Sequence, residues 1–233
     1  MTLVVPAVLP SSREDLAEKL GRFARIPGIS RVQIDVVDGH FATPASWPYT
    51  APEELREMVV KGEMLPNLHQ VAYEVDLMCL DAERAADMWL ALGASRLTFH
   101  IESIIDLPRF LASIHKRYGS DLVSFGIALN IATDLASLKP CLADIKYVQC
   151  MGIDTIGRQG QLFNPNVVDK VKRFRVWHPE IPVQVDGGIS LKTAPALIAL
   201  GVSNLIVGSQ LLRSPDPEAE IQKFEQLQTP FGV

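Results

Sequence analysis

The chain has 233 residues, 48% of them hydrophobic, enough for one large domain and too few for two comfortable ones. A formal net charge of −5 at pH 7 excludes a basic footprint for nucleic acid, and no Lys/Arg cluster points to an anionic membrane. No apolar run approaches a membrane span, the opening "MTLVVPAVLPSS" lacks the basic region of a signal peptide, and Cys79, Cys141 and Cys150 form no CxxC pair, so a cytoplasmic protein with reduced thiols is expected.

Short β-rich runs alternate with helical ones along the chain. "LVVPAV" (3–8) predicts a strand, and Ser11 or Ser12 caps a helix over 11–26. "RVQIDVV" (31–37) predicts a second strand, and Pro52 and Glu53 open a helix to about Val60. "HQVAYEVDLM" (69–78) is followed by the helical "DAERAADMWLALG". "SRLTFHI" (95–101) precedes a helix from about Ile105 to Tyr118, and "LVSFGIAL" (122–129) a short helix from about Thr133. "IKYVQCM" (145–151) precedes a long loop and a helix from about Asn164 to Val176. "PVQVD" (182–186) leads into "SLKTAPALIALG", and "NLIVG" (204–208) into a last helix from about Asp216 to Leu227.

Eight strand–helix units predict an α/β protein, a (β/α)8 TIM barrel forming a single domain over residues 1–233. An open doubly wound sheet is the alternative, but "VLPSSRED" after strand one lacks the dinucleotide glycine fingerprint. The strands read as apolar on both faces, as parallel strands under helices do. Barrel sites lie at the C-terminal strand ends. Three of those ends carry aspartates: Asp35, Asp76 and Asp186. A single strand-end aspartate is commonly a helix cap. Three on separate strands predict a convergent acidic site.

The last two units predict an anion end. "VDGGIS" (185–190) places Gly187 and Gly188 before a helix start, and "IVGSQLL" (206–212) places Gly208 and Ser209 likewise. Glycines allow close backbone approach, and barrels often bind phosphate at the loops after strands seven and eight.

Six segments in order resemble the ribulose-phosphate 3-epimerase family over nearly the whole chain. "VVPAVLPSSREDLAEKL" is similar to its opening strand and helix, and "IDVVDGHF" to its DVMDGHF. "EVDLM" stands at DVHLM, "FHIES" resembles VHVEA, and "IALNIATDL" resembles GVVLNPATPL. "VDGGISLKTAPALIALGVSNLIVGSQLL" resembles the phosphate-site segment. The resemblance implies a homo-oligomer that epimerises C3 of a ketopentose phosphate through an enediolate. Its two proton-transferring aspartates fall on Asp35 and Asp186. It further implies a divalent metal on two histidines and the same aspartates.

The departures fall on the metal site. One histidine position holds Gln33 and the other Asp76. The candidate metal set is therefore Gln33, Asp35, Asp76 and Asp186, all oxygen donors. That set favours Mg²⁺ or Mn²⁺ over Zn²⁺, or no metal at all. The first serine of the family's strand-one motif becomes Ala7. The MSVNPGFGGQKF loop becomes "MGIDTIGRQGQLF" (151–163), one residue longer, with Gly157, Gly160 and Gln161 as phosphate candidates. Arg158 either reaches a substrate anion or faces solvent. Met78 matches the methionine that floors the family's pocket.

Three function classes follow. The first is a sugar-phosphate epimerase or isomerase. The second is a lyase on a related sugar phosphate, disfavoured because no lysine stands near Asp35 or Asp76. The third is a non-catalytic phosphate-ligand-binding barrel. Among other residues, His100 is expected to pair with Glu102, and His115 to be exposed on its helix. Asn130 touches substrate or caps the next helix. Trp47 and Tyr49 form a lid or interface anchor, or simply seal the barrel rim.

Overall fold

The computed structural model describes residues 2–119 and 122–228. Eight parallel strands close into a barrel in sequence order. They are β1 (Leu3–Val8), β2 (Arg31–Val37), β3 (Ala72–Met78), β4 (Arg96–His100), β5 (Ser124–Leu129), β6 (Tyr147–Met151), β7 (Val183–Asp186) and β8 (Asn204–Val207). Closure is made by β1 beside β8, with Leu3 opposite Asn204 and Pro6 opposite Val207.

The helices are α1 (Arg13–Ala24), α2 (Pro52–Val60), α3 (Ala82–Ala91), α4 (Leu107–Tyr118), α5 (Asn166–Trp177), α6 (Ala194–Ala199), α7 (Ser209–Leu212) and α8 (Pro217–Gln226). Ser12 caps α1, its side chain accepting from the Asp15 N–H at 3.1 Å. Asp106 and Asp216 cap α4 and α8 in the same way. Such caps satisfy backbone donors that the first turn leaves unpaired.

Two expectations are corrected. The fifth unit has no α-helix after its strand, only two single 3₁₀ turns, Leu135–Leu138 and Leu142–Asp144. Pro140 lies between them and has no N–H to continue a helical ladder. Several strands are also not apolar on both faces, although β1 is apolar throughout. On β2, Val32, Ile34 and Val36 join the main core under the helices. The alternate positions, Gln33 and Asp35, are polar and buried. The same two-residue alternation turns Glu74, Asp76, Thr98, His100, Gln149 and Gln184 inward, all with no exposed surface. On β2, β3, β4, β6 and β7 the barrel interior is a polar stack, while Val5, Ala7 and Ile206 on β1 and β8 keep a small apolar cluster of their own.

The long loop after β2 is anchored by Trp47, which is fully buried. Its ring meets Trp89 edge-on at 6.0 Å, and its Nε1 donates to Glu54 at 2.8 Å. Tyr49 donates to Asp81. Within this chain Trp47 therefore seals the wall between the β2 loop and α3. Replacing Trp47 by Ala is expected to cost about 3–5 kcal/mol in urea denaturation, with Trp47→Phe milder. A loss under about 1 kcal/mol for the alanine variant would remove the ring from that role.

Candidate active site

The site rests on a neutralised base. Glu74 is wholly buried, and Arg96 Nε donates to it at 2.8 Å while Arg31 approaches to 3.8 Å. Thr98 and Gln184 donate to its other oxygen. The Arg96 guanidinium lies 4.0 Å over the Tyr147 ring. A buried carboxylate needs such partners, since desolvation without them costs several kcal/mol. Gln184 also donates to the Gln149 carbonyl at 2.7 Å, which links this base to the layer above.

That layer fixes Asp76. Its Oδ2 accepts from Gln149 Nε2 at 2.9 Å, and its Oδ1 faces His100 Nε2 at 3.0 Å. The expected His100–Glu102 pair is thereby corrected. His100 Nδ1 stays 3.9 Å from Glu102 and has no hydrogen-bond partner. Glu102 instead accepts from the Asn130 N–H at 2.8 Å and from the Thr133 hydroxyl. The reason is alternation. His100 points into the barrel beside Asp76 of the neighbouring strand, whereas Glu102 lies in a 3₁₀ turn beyond the strand end. Asn130 thus belongs to a turn, its carbonyl also accepting from Thr133 N–H at 3.2 Å. His115 is only half-exposed, its Nε2 2.7 Å from the Asp144 carbonyl.

Strand register brings the three aspartates together. Asp35 sits opposite Asp76 across β2 and β3, and Asp186 opposite Met151 across β6 and β7. One carboxylate oxygen from each lies within 4.8 Å of the others. Gln33 spans the pair across the barrel, its Nε2 donating to Asp35 at 2.9 Å and to Asp186 at 2.8 Å. Gln33 was expected as an oxygen ligand, yet it faces the acids with its nitrogen. Its Oε1 is buried without a partner.

Burial, with the charge of Asp76 beside it, pushes Asp35 up to about 7. Burial, then Asp35 and Asp76, holds Asp186 well above the usual carboxylate range. Burial alone would depress His100, but Asp76 outweighs it and raises the imidazole above its ordinary value.

Three carboxylates in an all-oxygen set fit a hard divalent cation of the Mg²⁺ or Mn²⁺ type. The unpartnered Gln33 carbonyl is a fourth oxygen once the amide rotates. Proton retention by Asp35 and Asp186 is the alternative relief of the same repulsion.

Above the acids lies a small cavity lined by Asp35, Asp186, Met78, Gly187, Gly188, Gly208, Ser209, Gly157, Gly160 and Gln161. The structure thus joins the predicted acids to the predicted glycine loops. Gly188 has φ +67, and a Cβ there would lie 2.5 Å from the Phe163 backbone, so the β6 loop closes down on a position that only glycine fits. Gln161 lines the cavity, but its amide nitrogen donates to the Thr155 and Arg158 carbonyls within its own loop. Arg158 is exposed and also lines this cavity, and its Nε ties this loop to the β2 loop through the Thr43 carbonyl at 3.0 Å. Asp38 shapes its turn, accepting from His40, Phe41 and Leu80 N–H groups.

Two site residues escaped the sequence reading. Gln149 lies two positions before Met151, and the inward period of β6 was the signal that marks it. Gln159 lies in an irregular loop with no period to expose it. Its Nε2 reaches the Ala7 carbonyl at 3.3 Å and Asp35 Oδ2 at 3.4 Å.

Convergent acids at the C-terminal mouth of eight parallel strands define this protein as a (β/α)8 barrel with its site in the place where such barrels carry chemistry. Residues 3–212 match the sequence model described as the Ribulose-phosphate 3 epimerase family, and the chain belongs to that family. It is 26% identical over 218 residues to ribulose-phosphate 3-epimerase of Schizosaccharomyces pombe, covering 94% of this chain and 90% of that one. It is 28% identical over 226 residues to the Escherichia coli K12 enzyme of the same name, covering 95% and 94%. In fold it is similar to a 3-hexulose-6-phosphate synthase, with a TM-score of 0.65, 19% identity and coverage of 98% and 100%. A ligand complex of KGPDC from Streptococcus mutans superimposes with a TM-score of 0.70, at 16% identity and with 97% of both chains covered. No helix among the described residues is long and apolar enough to cross a membrane.

The raised groups have a consequence for stability. Asp35 binds its proton more tightly folded than unfolded. Its stabilisation is therefore full below about pH 4 and is lost as pH rises toward 7. His100, also raised, loses its contribution in the same direction as pH passes its folded value. In chelator, the melting temperature is expected to fall between pH 5 and pH 8, and Asp35→Asn to flatten that fall. An equally steep fall in the variant would remove Asp35 as a source.

Proposed function

We propose that this chain is a sugar-phosphate epimerase acting at C3 of a ketopentose phosphate such as ribulose 5-phosphate. The observation that carries the reading is the pair Asp35 and Asp186. They stand on β2 and β7, share one Gln33 amide, and lie at the floor of a cavity whose rim is made of glycine loops. A substrate between them presents one face of C3 to each carboxyl group. One ionised carboxylate takes the C3 proton, and the other, still protonated, returns a proton to the opposite face. The raised proton affinity of both groups supports this, because it leaves one acid and one base available near neutral pH. Gln33 holds the two carboxyl groups at a fixed separation.

The glycine loops at Gly187, Gly188, Gly208 and Ser209, with Gly157 and Gly160, would receive the phosphate through backbone N–H groups. Gln161 serves that loop from within, by bracing its backbone. Met78 floors the cavity and helps keep water from the reacting carbon. Asp35, Asp76 and Asp186 would hold a hard divalent cation, which when bound supplies Lewis-acid stabilisation for negative charge on a substrate oxygen.

Deuterium exchange at C3 tests this reading. Asp35→Asn and Asp186→Asn are each expected to lower epimerisation of ribulose 5-phosphate by roughly 10²–10⁴-fold. One of the two should still exchange the C3 proton of ribulose 5-phosphate, because the base on that face survives. Full epimerisation in either variant sinks the two-aspartate assignment. Tight binding of ribulose 5-phosphate to wild type with no exchange, with or without Mg²⁺ or Mn²⁺, would make the chain a phosphate-ligand-binding barrel.

A further inference from the structure

We propose that Gln159 is a specificity-determining gate residue, whose amide fills the passage between the glycine loop at Gly208 and the acid at Asp35 and yields only to a phosphorylated ligand. This rests on the phosphate-binding reading above.

The passage is narrow because of this side chain. Gln159 Nε2 lies 2.7 Å from the point a Cβ of Gly208 would occupy, so the amide is packed against that glycine. The same nitrogen reaches Ala7 of β1 and Asp35 of β2, so it stands between the two ends of the site. The side chain lines the same cavity as Asp35, Asp186, Gly188 and Gly208.

The amide is held loosely. Its two contacts, at 3.3 and 3.4 Å, lie beyond the usual 2.7–3.2 Å range. The Gln33 contacts beneath it, at 2.8 and 2.9 Å, are ordinary hydrogen bonds. The loop that carries Gln159 is held firmly instead. Gln161 bonds back to Arg158 O, Arg158 bonds to Thr43 O, and Asn164 bonds to Asp154. Opening therefore takes rotation of one half-buried side chain, with the loop backbone staying in place.

Displacement has a chemical requirement. The incoming group must offset the lost amide contacts through bonds to the glycine-loop N–H groups. A phosphate, with several anionic oxygens, does this through charge-assisted hydrogen bonds; a free sugar hydroxyl does not. The gate thus favours phosphorylated sugars over unphosphorylated ones.

Calorimetric titration with inorganic phosphate tests the proposal on wild type, Gln159→Ala and Gln159→Asn. Gln159→Ala should bind phosphate roughly two- to threefold more tightly than wild type, the contacts it removes being weaker than one ordinary hydrogen bond, with Gln159→Asn between. Equal affinity for all three overturns the gate and leaves the phosphate site standing. Weaker binding by Gln159→Ala overturns the gate by making the amide a ligand. No binding by any of the three overturns the gate and the phosphate-binding reading together.

Discussion

Everything in this barrel is arranged around three carboxylates confined within 4.8 Å of one another. Like charges at that separation in a buried site cannot all remain ionised without compensation. The structure provides that compensation in layers. Two arginines neutralise Glu74 at the base, and amides and an imidazole satisfy Asp76 above it. At the top Gln33 bridges Asp35 to Asp186, and protons or a cation complete the balance. Each layer frees the next from charge it could not otherwise hold. The interior beneath the acids is polar for this reason, and most of the hydrophobic driving force is left to the outer shell between strands and helices.

The mouth follows a different logic. Its loops are irregular, yet they are pinned to one another by side chains. Arg158 ties the β6 loop to the β2 loop, and Asp38 ties the β2 turn to the end of β3. Gly188 lets Phe163 come down on the β7 turn. A pinned rim over closely held carboxyl groups is what the proposed proton transfer needs, where a group must meet its proton within hydrogen-bond reach. The freedom left is in single side chains such as Gln159, whose two contacts are longer than ordinary hydrogen bonds.

Some of this was legible in one dimension. Strand positions, seven of the eight strand–helix units and the three strand-end aspartates were readable, because apolar runs, caps and glycine turns are local signals. The helix expected after β5 fails at Pro140, where two short 3₁₀ turns replace it. His100 was paired with Glu102 because they are close in sequence, although its real neighbour is Asp76 on the adjacent strand. Gln149 and Gln184 carry no motif, and an apolar reading of the strands gives them no inward role. A two-residue period would have turned them inward beside Met151 and Asp186.

The sequence by itself determined the barrel, the family resemblance, the acids at the strand ends and the glycines of the last two strand–helix turns. These rest on periodicity and short motifs, which a chain carries whether or not it is folded. Only the tertiary structure decided how the acids are partnered. Gln33 and Asp186 are 153 residues apart, and nothing in either segment announces that one amide will serve both Asp35 and Asp186. The resemblance marked Gln33 as a replaced metal ligand. Barrel closure turned its nitrogen toward the carboxylates, because an amide N–H is the group a pair of buried carboxylates attracts.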